Sequence, residues 1–431
     1  MTDLFPYQKA GVKWLSERKV ALLADEPGLG KTAQAIAACD ANGLKKILVI
    51  CPASLRGNWA REFSKFQRLT RSIDAVMGRG PVGADVTIAS YEFAARNANE
   101  LAGAYDALIL DEAHYLKTRT SKRTKAVFGE DCDQIGGIAE NCDRVYCLTG
   151  TPAPNNSSEL WPMLRALTPD SLEQRQRSYS GFVNKYCRQR DNGFGLQIVG
   201  SRNSDDLKQR LEPFVLRRRK GDVLPELPPV RFDTLYLDGF RSRELSALSA
   251  LYGKEIEQAL ETEGLVGLNK LAPHIAELRK ITGMLKVSGV CEVVANEIDA
   301  GKIVLFAYHR DVIDGLAAAL EQFEPVVVSG STPAWQRQDA VDAFQEGNFC
   351  RVFIGQLQAA GTGITLTAAS EAIIVESSWV PAENEQAAMR IHRIGQRNAC
   401  RVRFATLADS IDEKINRAVM RKTADIAALF N

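Results

Sequence analysis

Scarcity narrows the reading of this sequence before any motif does. Fifty-four lysines and arginines face 53 aspartates and glutamates, a net charge of +1. The whole chain therefore lacks the strongly basic balance that usually marks nucleic-acid binding. Only four histidines are present, none at metal-ligand spacing, and the nine cysteines from Cys39 to Cys400 include no Cys-x-x-Cys pair. These counts give no basis for a catalytic or structural metal site. The closest cysteines, Cys142 and Cys147, flank the start of a predicted strand, so buried reduced thiols are expected. No apolar run approaches the ~18 residues of a membrane span. The opening stretch to Gly11 lacks a basic region followed by an apolar one, so no signal peptide is expected. The expectation is a soluble cytoplasmic protein, nucleoid-associated in a bacterial or viral setting and nuclear in a eukaryotic one.

What is present is ordinary for a globular protein: 431 residues, 45% hydrophobic and 25% charged. That excludes a disordered chain, a collagen-like fibre and a small disulfide scaffold. At ~150 residues per domain, two or three domains are expected. Short apolar, β-rich runs alternate with longer amphipathic ones, the pattern of parallel sheets covered by helices. Predicted strands are Val20–Ala24, Lys46–Cys51, Val86–Ser90, Ala107–Leu110 and Arg144–Leu148, then Ile303–Phe306, Pro325–Val328, Val352–Ile354, Ala372–Val375 and Val402–Thr406. Predicted helices include Thr32–Asp40, Arg56–Phe66, Asp311–Glu321, Ala334–Gln345 and Ala382–Ile391. From Leu160 to about Ala295 the texture is mainly helical, interrupted by the proline-rich string Leu224–Pro229, which cannot continue a helix.

Two strings carry chemistry. Ala24-Asp-Glu-Pro-Gly-Leu-Gly-Lys-Thr32 follows a strand and opens a helix, the context of a phosphate-binding loop. Gly28 and Gly30 let backbone N–H groups converge on phosphate, Lys31 reaches the β- and γ-phosphates, and the Thr32 hydroxyl binds Mg2+. Asp25 stands where the first glycine belongs. Ala107-Leu-Ile-Leu-Asp-Glu-Ala-His114 is an apolar strand ending in two acids. Strand C-terminal ends are where ligands sit in a parallel sheet. Asp111 is read as holding Mg2+ through water, and Glu112 as activating the attacking water. Trp59, on an amphipathic helix, is read as core.

With these residues in place, the chain resembles the Swi/Snf family of superfamily-two helicase-like ATPases, and the likeness runs from Phe5 to about Arg421. Phe5-Pro-Tyr-Gln8 with Gly11 and Trp14 resembles the family's adenine-sensing motif, which gives Gln8 the base. Cys51-Pro-Ala-Ser-Leu55 resembles its first DNA-contact motif, and Leu148-Thr-Gly-Thr-Pro152 its coupling motif, in which Thr149 and Thr151 relay between hydrolysis and DNA. Ser54 is suited to a nucleic-acid backbone, since a small hydroxyl residue donates without reading bases. The family carries the Asp25 variant and usually has Met where Pro27 stands.

Residues 161–220 hold thirteen basic and six acidic residues and end in Pro213-Phe-Val-Leu-Arg-Arg-Arg-Lys220. That string resembles a family signature, which implies a brace between lobes with basic side chains such as Arg217 on DNA; a solvated charged face is the alternative. Ala360-Gly-Thr-Gly-Ile-Thr-Leu-Thr367 resembles a glycine-rich coupling motif, and Gln386–Gln396 contains the family's His-Arg-Ile-Gly-Gln string. The likeness assigns Gly363 and Gln396 to the nucleotide. Arg390 and Arg393, three apart and read as sharing one helical face, become arginine fingers for the γ-phosphate. Phe306–Arg310 and Ser329–Thr332 resemble the remaining motifs, which makes His309, Ser331 and Thr332 candidate DNA contacts. The string Leu278–Lys286 looks closest to the annealing-helicase branch and its bacterial or viral relatives.

The resemblance implies an α/β fold of two tandem RecA-like lobes with a helical insertion and brace between them. The expected boundaries are residues 1–222 for the ATP-binding lobe, with its basic insertion from about 156, residues 223–300 for a linker and helical region, and residues 301–431 for the second lobe. The implied function is an ATP- and Mg2+-dependent translocase on double-stranded or branched DNA that remodels DNA or displaces or reanneals strands. A single-strand or RNA helicase with the same engine, or an ATP-gated DNA clamp, are the alternatives. The distribution of charge supports the DNA reading: residues 1–220 hold 33 basic and 25 acidic residues, and residues 221–431 hold 21 and 28. The +1 is a cancellation between halves.

Overall fold

Runs of branched apolar residues that have no polar face can be satisfied only where a sheet is covered on both sides. The computed structural model describes residues 4–76, 83–153, 156–191, 195–237, 254–255, 258, 272–360, 363–378, 380–408, 410, 412–414, 416–417 and 419. In it, such runs form the interior of two separate units, one reaching Leu224 and the other beginning at Pro225.

In the first unit, β1 (Val20–Leu23), β2 (Ile47–Cys51), β3 (Ile73–Ala75), β4 (Val86–Ser90), β5 (Ala107–Asp111) and β6 (Arg144–Leu148) form a wholly parallel sheet. Every residue of β2 and β4 is buried. Helices α1 (Pro6–Ser16), α2 (Lys31–Ala41) and α3 (Arg56–Phe66) cover one face, where Leu15, Ile36, Trp59 and Phe63 pack. Next in the chain comes a two-stranded antiparallel hairpin, β7 (Cys187–Asp191) with β8 (Leu196–Ser201). The two-residue β9 (Val215–Leu216) then returns to the sheet and pairs parallel to β1. The strand order is β3-β4-β2-β5-β6-β1-β9, so β5, β6 and β1 are neighbours and their C-terminal ends lie side by side.

The second unit has a six-stranded parallel sheet, ordered β10-β15-β14-β11-β13-β12. Its strands are β10 (Val230–Leu237), β11 (Lys302–Ala307), β12 (Val326–Val328), β13 (Val352–Gln356), β14 (Ala369–Ile374) and β15 (Cys400–Leu407). A 26-residue helix, Ala272–Glu297, precedes β11. Phe306, Phe344 and Phe353 fill one side of the sheet, and Val290, Val294, Leu305 and Ile313 fill the other.

The two-sheet α/β architecture is the expected one, and all ten predicted strands form. The stretch read as mainly helical differs in detail. It contains the β7–β8 hairpin, β9 and β10, because each of these is fixed by a partner strand rather than by an apolar run of its own. All nine cysteines are free, and seven are buried. No helix among the described residues is long and apolar enough to cross a membrane. No group of three or more His, Cys, Asp or Glu among them could hold a metal ion.

Candidate functional site

Where β1 ends, the chain turns through Ala24–Gly30 into α2. Gly28 has φ 95° and Gly30 has φ 72°, both in the left-handed region that glycine enters without a steric penalty. Gly30 also admits a neighbour, since a Cβ there would lie 2.4 Å from Gln8 Nε2. Gln8 is buried; its Nε2 donates to the Leu29 carbonyl (3.2 Å) and its Oε1 accepts from the Phe5 N–H (3.0 Å). The residue expected to read a base is thus bonded to the loop itself. The Tyr7 hydroxyl donates to the same Leu29 carbonyl at 3.0 Å. Lys31, the first residue of α2, donates from Nζ to the Asp25 carbonyl at 2.7 Å, and Thr32 follows in the same first turn.

The acid pair lies at the end of β5. Asp111 closes the strand, and Glu112 takes φ 50° and ψ 52°, a left-handed conformation uncommon for a residue with a Cβ. Trp59 Nε1 donates to Asp111 Oδ2 at 2.8 Å, the Glu112 N–H donates to Oδ1 at 3.0 Å, and the Tyr91 hydroxyl donates to the Asp111 carbonyl at 2.8 Å. Glu112 Oε2 is 3.2 Å from His114 Nδ1, which is 3.0 Å from Thr149 Oγ1. The Thr151 N–H donates to that same Thr149 oxygen at 3.1 Å.

These contacts separate two adjacent carboxylates. Burial, reinforced by the Glu112 charge, pushes Asp111 up to about 6, against the pull of Trp59 and Lys31. Burial also pulls Glu112 upward, but the hydrogen bond and charge of His114, together with Lys31, outweigh it and hold Glu112 below the ordinary glutamate value. The two carboxyls are thus pushed in opposite directions, and Glu112 is the one held toward its ionised form. A magnesium nucleotide suits this set. The helix start and left-handed glycines make a phosphate cradle, and the Thr32 hydroxyl and Asp111 carboxylate are hard oxygen donors of the kind Mg2+ takes.

In the second unit, the helix predicted to carry both candidate fingers ends early. It spans Pro381–Ala388, so Arg390 and Arg393 lie in the turns beyond it and share no helical face. Both reach the loop before β14, where Arg390 Nη1 donates to the Ile364 carbonyl (3.5 Å) and Arg393 Nη1 to Thr365 Oγ1 (3.1 Å), and Arg393 Nε also donates to the Met389 carbonyl (3.2 Å). Gly363 opens that loop with φ 74°; Gly361 and Thr362 of the expected motif lie outside the described residues. Gln396, expected at the nucleotide, is buried. Its Nε2 donates to the carbonyls of Thr367, Ala369 and Ile391, and its Oε1 accepts from the N–H groups of Arg397 and Asn398. The three carbonyls share two N–H donors, and the two N–H groups fill both lone pairs of Oε1.

Of the expected DNA contacts, Ser54 and Arg217 belong to the first unit and His309, Ser331 and Thr332 to the second. Ser54 is exposed on the turn after β2. Arg217 Nη1 donates to the Gly150 carbonyl at 3.3 Å, which ties it to the Thr149–Thr151 string. His309 Nδ1 sits 2.6 Å from Glu376 Oε1, and Glu376 Oε2 accepts the backbone N–H groups of Tyr308 and His309. Thr332 Oγ1 accepts from the Ser329 N–H at 2.9 Å, and Ser331 Oγ is 2.9 Å from Ser329 Oγ.

Sequence reasoning missed several supporting residues. Trp59 is core, as read, at 1% exposure, yet it also holds Asp111; no local pattern announces that second role. Tyr91 and Arg218 act across 20 and 193 positions, beyond any short motif.

Residues 7–281 match the SNF2-related domain and residues 285–395 the helicase conserved C-terminal domain. The chain is 30% identical over 442 residues to a Caenorhabditis elegans SWI/SNF-related matrix-associated actin-dependent regulator of chromatin subfamily A-like protein 1 homolog, covering 97% of this chain and 61% of the relative. It is 28% identical over 453 residues to the DNA annealing helicase and endonuclease ZRANB3 of Mus musculus, covering 100% of this chain and 41% of the relative. The chain therefore spans less than two thirds of the length of these relatives. A solved structure, the Sulfolobus solfataricus SWI2/SNF2 ATPase core in complex with dsDNA, aligns over 99% of this chain and 95% of that chain at 24% identity, with a TM-score of 0.47.

Proposed function

The chain belongs to the SNF2-related family, and from that premise we propose that it is an ATP-dependent translocase on double-stranded DNA. One observation carries the reading: a buried acid pair at the end of β5, with Asp111 held by Trp59 and Glu112 by His114, under the charge of Lys31 from the start of α2. Backbone N–H groups at the start of α2 would cradle phosphate, Lys31 would bring charge to it, and Thr32 and Asp111 would hold Mg2+. When bound, the magnesium nucleotide supplies the phosphoanhydride to be cleaved. Glu112 accepts the proton of the attacking water at a carboxylate oxygen that His114 keeps ionised. Thr149, in contact with His114 and bonded to the Thr151 backbone, gives that event a path into the loop after β6. Gln8 and Gly363 complete the proposed nucleotide set. Arg390 and Arg393 are the candidates for neutralising phosphate charge in the transition state. Ser54, Arg217, His309, Ser331 and Thr332 are the candidates for sequence-independent backbone contacts.

The name of one relative includes DNA annealing helicase, which favours duplex or branched DNA over RNA as substrate and strand reannealing or remodelling as the task. A triplex-displacement assay tests the motor. ATP-dependent release of the third strand is expected. Duplex binding and hydrolysis without release would make the chain a clamp, and stimulation by single strands or RNA alone would assign it another substrate.

A further inference from the structure

Asp25 occupies the place of the first glycine of a phosphate loop, and its fully buried carboxylate has no part in the proposed reaction. Two side chains converge on it, Gln34 from α2 and Arg218 from far downstream. Arg218, 193 positions downstream, donates from Nε to Asp25 Oδ1 at 2.9 Å and from Nη2 to Oδ2. The same guanidinium reaches Gln34 Oε1 at 2.6 Å and the Tyr7 carbonyl. Gln34, on α2, donates to Asp25 Oδ2 and to the Leu29 carbonyl, each at 3.2 Å. The Asp25 carbonyl in turn receives Lys31 Nζ at 2.7 Å. Arg218 is thus joined through a single residue to the lysine that meets phosphate.

The backbone around Arg218 is laid along the same loop. The Ala24 N–H donates to the Leu216 carbonyl (2.7 Å), the Glu26 N–H to the Arg218 carbonyl (3.1 Å), and the Lys220 N–H to Glu26 Oε2 (2.8 Å). Gly11 on α1 makes room for this junction, because a Cβ there would lie 2.0 Å from Gln34 Oε1 and 2.8 Å from Arg218 Nη2. A planar five-donor fork satisfies the Asp25 carboxylate, the Gln34 amide and the Tyr7 carbonyl together, which an ammonium on a flexible stem cannot do.

We infer that Arg218 is a positioning residue that holds the phosphate loop in its nucleotide-binding form, acting through Asp25 on Lys31; the inference rests on the reading of that loop as an ATP site. The basic run ending at Lys220 therefore includes one arginine that serves nucleotide rather than DNA. Loss of Arg218 removes ground-state binding of ATP and leaves the hydrolytic pair at β5 intact.

The test uses the full chain with Mg-ATP, measuring ATP Kd by calorimetry, steady-state KM and kcat, and melting temperature. Arg218→Lys and Gly11→Ala are expected to raise Kd and KM about 10–100-fold, the scale of lost charge-assisted hydrogen bonds. kcat at saturating ATP should stay within about twofold, the signature of lost uniform binding. Asp25→Asn combined with Arg218→Ala should be no worse than Arg218→Ala alone, because the two side chains act as one unit. Where Arg218→Ala fails to fold, Arg218→Lys decides. Unchanged Kd and KM in Arg218→Lys and Gly11→Ala, with only the melting temperature lowered, overturns the inference while the ATP reading stands. A wild-type chain that binds no ATP defeats both.

Discussion

The two units use their motif residues in different ways. In the first, side chains from α2, α3 and the end of β5 act on one another's charge: His114 on Glu112, Trp59 on Asp111, and Lys31 on both acids. In the second, the motif side chains bind neighbouring backbone and side-chain groups. Gln396 bonds its amide to five main-chain groups, Arg390 and Arg393 bond to the loop before β14, and His309 is bound to Glu376. A well-matched string can therefore mark a fastener of the fold as readily as a reactive group. Contacts that move the pKa of the motif residue itself distinguish the two, as they do for Asp111 and Glu112.

The sharpest way to break that contrast is Arg393→Ala. If the second unit supplies transition-state charge, kcat falls by about 10³-fold or more with little change in ATP KM, on the scale of other arginine fingers. If Arg393 only fastens the loop, steady-state kinetics will show near-normal kcat and calorimetry a lower melting temperature. Glu112→Gln should lower kcat by about 10²–10⁴-fold while ATP still binds, the range for a lost general base. Turnover retained in this variant would move the base out of the first unit. Trp59→Phe keeps the ring in the core and removes the Nε1 donor to Asp111. We expect roughly a tenfold lower kcat and a higher half-saturating Mg2+ concentration, read from a magnesium titration of the ATPase. The smallest kinetic effect belongs to Gln396→Ala, with kcat unchanged and about 1–3 kcal/mol of stability lost from unsatisfied backbone groups, measured by denaturant unfolding.

The sequence made the sheets legible where a strand is an apolar run, as in Ile47–Cys51 and Val86–Ser90. It hid the strands that depend on partners. Val215–Leu216 is two residues beside a basic run and becomes a strand only by pairing with β1. Val230–Leu237 carries Arg231 and Asp233 and leaves Phe232 and Tyr236 exposed, the texture of an edge strand rather than a core one. The helix stop at Ala388 was hidden as well, because the turn that follows is held by tertiary bonds to residues 364–369. The same division holds at the site. Gly28, Gly30, Lys31, Thr32, Asp111 and Glu112 announce themselves in two short strings. Trp59 on Asp111 and Arg218 on Asp25 are contacts across 52 and 193 positions, and long-range pairing leaves no local period to read.

Phosphate release at saturating Mg-ATP, measured for the wild-type chain and Glu112→Gln with and without duplex DNA, tests the central claim most directly. The account predicts that duplex DNA raises the wild-type rate and that the variant stays near zero in both conditions. Equal wild-type turnover with and without duplex, or a Glu112→Gln rate close to wild type, would contradict it.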